Sequence, residues 1–235
     1  MRKPSANFAQ RALLLLSVAM VGLTTLNGQQ PPVPQQAETQ PSCCGPITPR
    51  AAALSQFLDN ENVEKKWLAH QYVNWETGEP DRLDLPLTPS SHTHCSAFAA
   101  SVAKQLGVYI LRPPEHKASR LATAQADWLA SKAGQQAGWA QLASMAEAQR
   151  HANLGELVVA VYPSPDPEKS GHIAILRPAE LSAEDLAENG PEEIQAGRTN
   201  YNRTRVRTGF RFHRAAFPNN ILYFAHSLGE QLPAQ

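Results

Sequence analysis

Two apolar segments near the middle of the chain, GELVVAVY at 155–162 and GHIAILRP at 171–178, constrain the fold more than any other feature. The first is Val-rich and is ended by the turn-forming run PSPDP, as a strand would be. The connection to the second is short, so the two read as an antiparallel pair with His172 at the opening of the second strand. EEIQAGRTN at 192–200 follows as a third strand, and NNILYFAHS at 219–227 as a further one with His226 close to its end. Between them, Ser182 and Asp185 have the spacing of a helix cap and predict one short helix.

Upstream of these strands the apolar residues recur at helical spacing. Residues 51–58 and 63–70 read as two short helices anchored by Phe57, Leu58, Trp67 and Leu68. The Pro-, Gly- and Asp-rich stretch 71–89 reads as a long loop, with Trp75 as a core or anchoring residue. In SHTHCSAFAASVAKQLGVYILRP, Phe98, Val102 and Leu106 stand four apart beside Ala99 and Ala103, and Gly107 follows as a stop. Residues 117–132 and 139–151 read as two more helices. Helices first and an antiparallel sheet afterwards define an α+β domain.

The 235 residues, 42% hydrophobic and 18% charged, suffice for one domain with a core once the ends are set aside. Basic and acidic residues balance at 21 each, which excludes any overall pull toward nucleic acid. Arg2, Lys3 and Arg11 precede the apolar run ALLLLSVAMVGL, so residues 1–28 read as a secretory signal. The run falls short of the roughly 20 apolar residues of a membrane span, and stable membrane insertion is not expected once the signal is removed; an uncleaved anchor is the alternative. Residues 29–48, rich in Pro and Gln, read as a solvated linker, and 49–230 as the folded domain. The expected location is exported, in the periplasm or outside the cell. Cys43 and Cys44 are adjacent and can pair with each other, join partner chains or stay free.

Cys95 therefore opens an amphipathic helix, where unpaired backbone N–H groups and the helix dipole favour thiolate over thiol. Cysteine catalysis also needs a histidine to move the proton and a polar group to hold the imidazole. Cys95 and His172 both lie at element ends, where such a site can be built. Each taken singly has a plainer reading, a small buried residue and a strand histidine bonded to a loop carbonyl.

HCSAFAASVAKQLGVYILRP resembles the DCSGFV-type opening of the NlpC-type cysteine peptidases and the related CHAP amidases. NLGELVVAV resembles their GDLV strand, SGHIAIL their GHVGIY strand, and EEIQAGRTN the strand that follows, in the same order. The resemblance spans Cys95 to about Asn200. It implies a papain-like fold, with the nucleophile helix packed on an antiparallel sheet, and a cysteine peptidase or amidase that needs no cofactor and acts on peptidoglycan stem peptides or cross-links, or on another peptide substrate. Carried over, Cys95 is the nucleophile, His172 the general base and acid, and Gln195 the third, orienting residue, with Asn200 in reserve. His94 stands where many relatives have an acidic residue, Glu156 replaces the Asp of GDLV, and the two intervening helices lengthen the stretch from Cys to His. Trp128 and Trp139 in that insertion either wall a cleft or pack in the core; His94 and Trp128 are the cleft candidates.

Two other readings stand beside this one. A catalytically inactive exported binding module would use the same fold. Alternatively, His92, His94 and Cys95 in HTHC offer three ligands for a zinc-dependent hydrolase, although the spacing matches no usual structural-zinc pattern. His213 and His226 read as surface or satisfied residues. The arginines of 198–214 read as a solvated face or as a site for anionic groups.

Overall fold

A computed structural model describes residues 43–89 and 92–229; residues 1–28, read as a signal, and residues 29–42, read as linker, lie outside the described residues. The chain runs α1 (Pro49–Asn60), α2 (Cys95–Gln105), α3 (Leu121–Ala130), α4 (Lys132–Gln136), β1 (Trp139–Leu142), α5 (Met145–Leu154), β2 (Leu157–Tyr162) and β3 (His172–Leu176). It continues through α6 (Ala183–Asn189), β4 (Glu192–Gln195), β5 (Tyr201–Arg205), α7 (Val206–Gly209) and β6 (Leu222–His226). The strands form one antiparallel sheet in the order β1-β6-β2-β3-β4-β5. The α+β class expected from the element order is thus the observed one, N-terminal helices packed on a six-stranded antiparallel sheet.

Every residue of β2 and β3 is buried, so this central pair must be covered on both faces. On one face Val159, Val161, Ile173, Ile175 and Ile194 pack against Leu54, Phe57 and Leu58 of α1 and Phe98 and Val102 of α2. On the other, Val158, Ala160, Ala174 and Leu176 pack with Ala148 and Ala152 of α5 and with Val206 and Phe210. Arg177, fully buried just beyond β3, donates to the Asp59 carboxylate at 2.6 Å and to the Ser55 carbonyl at 3.2 Å, clamping α1 to the end of the strand.

Three expected elements are drawn differently. Residues 63–70 form turns instead of a helix, with left-handed backbone at Asn62, Trp67 and His70. Their helical carbonyls are taken elsewhere: Asn200 Nδ2 donates to Val63, Lys66 and Trp67 O at 2.7, 2.8 and 3.2 Å. The helix expected over 139–151 is a strand followed by a helix. Trp139 and Leu142, three apart, lie on opposite faces of an edge strand, both of which are covered. Ser144 then restarts the helix, its Oγ accepting from Glu147 N at 3.1 Å while the Glu147 carboxylate accepts from Ala143 N at 2.7 Å. The third strand is two, because 196–200 turn the chain between β4 and β5. The cap at Ser182 forms as its spacing indicates, accepting from Asp185 N at 3.0 Å.

Residues 43–48, read from composition as linker, are packed on the domain. Cys43 and Cys44 form a disulfide, and Cys43 N donates to Leu181 O at 3.0 Å. Asn153, buried at the end of α5, ties this segment down. Its Nδ2 donates to Gly45 and Ala179 O at 2.9 and 3.1 Å, and its Oδ1 accepts from Ala179 N at 2.9 Å. Among the described residues no helix is long and apolar enough to cross a membrane. Asn153→Ala removes the partner of the buried Ala179 N–H and carbonyl and is expected to lower stability by about 2–3 kcal/mol, read as a shifted denaturant midpoint with unchanged slope.

Candidate active site

Cys95 is the first residue of α2 and is 5% exposed. The helix has no side-chain cap, so its first-turn N–H groups stay directed at whatever lies beyond its start. Ser96 N and Ile173 N both donate to the Cys95 sulfur, the second from the start of β3. β3 therefore brings two groups to the thiol at once, a backbone donor and the imidazole of His172, which is hydrogen-bonded to it.

The imidazole is fixed on its other side by Gln195. His172 Nε2 donates to Gln195 Oε1 at 2.5 Å, and Gln195 Nε2 donates to Thr199 O at 3.0 Å, which sets the amide's orientation. With Nε2 committed to Gln195, Nδ1 is the nitrogen left for Cys95. The Phe210 ring meets His172 edge-on at 4.7 Å, and His213 stacks on it at 5.4 Å and 18°. A Cβ at Gly209 would stand 2.9 Å from Gln195 Oε1, so the backbone after β5 closes over the His172–Gln195 bond and keeps water from it.

Burial pushes the Cys95 thiol up, but the charge and hydrogen bond of His172 and the two backbone donors outweigh it, leaving the thiol below its ordinary value. Burial likewise pulls His172 down. The Cys95 charge and hydrogen bond, the Glu193 charge and the Gln195 bond overcome it and hold the imidazole above its ordinary value. The two shifts share one cause: the charged form of each group is stabilised by the charge and hydrogen bond of the other. His213 is driven down to about 4 by burial, by the His172 charge and by Arg198, so it lies neutral beside the imidazolium.

A cavity of about 680 Å³ opens beside His172, lined by Thr93, Tyr162, His172, Arg198, Phe212 and Arg214 among others. Lys169 pairs with Asp166 at 2.9 Å on its rim.

The structure brings Cys95, His172 and Gln195 together. It does not bring Asn200 to the imidazole: its Nδ2 holds the 63–67 turn and its Oδ1 accepts from Gly197 N at 2.9 Å. His94 is not on the cleft wall either. It is buried, its ring bonds to Gln71 O at 2.9 Å and to Leu68 O, and burial lowers it to about 4. His92 lies beside His94 with ring centroids 5.0 Å apart, and among the described residues no three His, Cys, Asp or Glu side chains are grouped to hold a metal ion. Trp128 packs edge-on against Tyr109 at 5.4 Å, and buried Trp139 donates to Tyr109 O at 2.9 Å; neither lines the cleft. His226 bonds to Ala137 O at 2.9 Å.

Gly209, Phe210, His213 and Glu193 are the neighbours of the imidazole that the sequence reading missed. Residues 206–213 interleave aromatic and basic side chains without a helical or strand period, so nothing in them points to His172. Glu193 is flagged only as the residue two before Gln195, on the same side of a strand.

At pH 6 iodoacetamide is expected to modify Cys95 about 10²-fold faster than an ordinary thiol, and His172→Ala to abolish that advantage; mass spectrometry of timed digests measures both. In comparisons with known proteins, no family model matches the chain and no curated protein matches it.

Proposed function

We propose that this protein is a papain-like cysteine hydrolase that cleaves amide bonds by way of an acyl-enzyme. The observation that carries the reading is the alignment of Cys95, His172 and Gln195, a thiol at a helix start bonded to an imidazole that an amide holds from behind. A binding surface has no need of a buried thiol whose proton is drawn toward a histidine.

The chemistry follows from the positions. The Cys95 thiolate attacks the carbonyl carbon of the bound amide, and the oxyanion forms near the Cys95 N–H at the uncapped start of α2. His172 then gives its proton to the leaving nitrogen, the C–N bond breaks, and the acyl group stays on the sulfur. Water enters from the cleft, His172 takes a proton from it, and attack on the thioester returns the thiol and releases the acid. Gln195 keeps the ring in one tautomer and one direction through both halves. No step calls for a metal or an organic cofactor.

Peptidoglycan stem peptides or cross-links are the proposed substrate. The sequence resemblance to NlpC-type and CHAP enzymes and the apolar N-terminal run that reads as an export signal both support this. Arg198 and Arg214 on the cleft wall suit a substrate that carries carboxylates.

Purified sacculi incubated with the exported protein are expected to release muropeptides with newly exposed amines or carboxyls, and Cys95→Ala to release none. Gln195→Ala is expected to keep substrate binding and lose about tenfold or more in turnover. Identical, undigested profiles from wild type and Cys95→Ala would exclude the cell wall as substrate.

A further inference from the structure

Behind the Gln195 amide lies an acid-bearing side chain that the reaction above does not use. Glu193 stands two residues earlier on β4, on the same face of the sheet, with no exposure to solvent. Neither of its carboxyl oxygens has a hydrogen-bond partner. Gly209 lies directly against it: a Cβ there would overlap Glu193 Oε1 and also crowd Gln195 Oε1. A carboxyl and an amide oxygen thus converge on one spot that only glycine leaves open.

The surroundings offer this carboxyl little else. Tyr223 on β6 is separated from β4 by Ala160 and Ala174, small residues on the intervening strands, and its hydroxyl is also buried without a partner. An apolar side chain at 193 would avoid the cost of burying an unpaired carboxyl, so Glu193 weakens the fold unless it acts on a neighbour.

We propose that Glu193 is a positioning residue for His172: its carboxyl, packed against Gly209 beside the Gln195 amide, carries the negative charge that retains the imidazolium proton on the alkaline side of the titration. The neutral amide of Gln195 directs the ring but carries no charge to hold its proton. The proposal rests on the reading of Cys95 and His172 as nucleophile and acid.

The titratable groups around the pair give the sign. Cys95 from α2, Glu193 from β4 and His213 from the segment after α7 face the imidazole, with Arg198 beyond His213. His213 is neutral above about pH 4. Glu193 is faced by His172 and by Tyr223, whose hydroxyl burial and the Glu193 charge hold above its ordinary value. Thr204 lies opposite Glu193 on β5, and the buried residues of α5 and α7 are not titratable. Burial raises the Glu193 carboxyl to about 8, against the pull of His172. In acid it is therefore neutral and leaves the ionisation of Cys95 alone. As pH rises its charge develops and delays the loss of the His172 proton.

The test follows the His172 ring by NMR in the histidine-labelled full chain through a pH titration, in wild type and Glu193→Gln. In the variant His172 is expected to lose its proton about one pH unit lower, a roughly tenfold change in acid constant. The acid-side onset of Cys95 alkylation by iodoacetamide is expected to stay where it is. Should Gln at 193 fail to fold, Glu193→Leu removes the charge and both unpaired oxygens and is read in the same way. An unmoved His172 midpoint in a folded variant would overturn the role of Glu193 while leaving the Cys95–His172 pair intact. If wild-type Cys95 shows no acid-side alkylation, the pair itself fails, and the role of Glu193 with it.

Discussion

The full burial of β2 and β3 is the constraint on which the rest depends. An antiparallel pair with one wet face could have stood with helices on one side. Here Leu157–Tyr162 and His172–Leu176 have no wet face, so α1 and α2 cover one side while α5 and the segment around α7 cover the other. The functional geometry is a by-product of that double cover. α2 lies on β3 with its first residue at the strand's beginning, and the segment after β5 closes the opposite face with Phe210. Cys95 and His172 meet because a helix start and a strand start coincide at one rim of the sheet.

Burial has the opposite meaning for the pair than for the core. Each group alone would be driven to its neutral form by desolvation, the thiol upward and the imidazole downward. Together they are driven the other way, because each supplies the charge the other lacks, and backbone donors from Ser96 and Ile173 add to the sulfur's side. Keeping water out strengthens this coupling. Gly209 and Phe210 do that at the His172–Gln195 bond, which places two residues with no reactive group among those the site depends on.

The central strands, the helix that Cys95 opens and the relation between Cys95, His172 and Gln195 were legible in the chain, because period, turn residues and motif order are local or sequential signals. The failures share a cause in tertiary contact. Trp139 and Leu142 have a spacing that suits a helix face, and only pairing with β6 makes them the two sides of a strand. The 63–70 segment has helical apolar spacing, yet Asn200, more than a hundred residues on, takes its carbonyls. That same use removes Asn200 from the choice of orienting residue. His94 reads as a cleft residue from its place beside Cys95, but the loop 68–71, folded back beneath it, takes its ring. His213 reads as incidental because the turn that stacks it on His172 has no sequence period.

The central claim is that Cys95 and His172 share charge at neutral pH. The ultraviolet absorbance of the thiolate, taken as the difference between wild type and Cys95→Ser across a pH titration, tests it without any substrate. The account predicts a thiolate signal that persists well below pH 7 and is lost in His172→Ala. A signal that rises only near the ordinary thiol value of about 8.5, and is the same with or without His172, would contradict it.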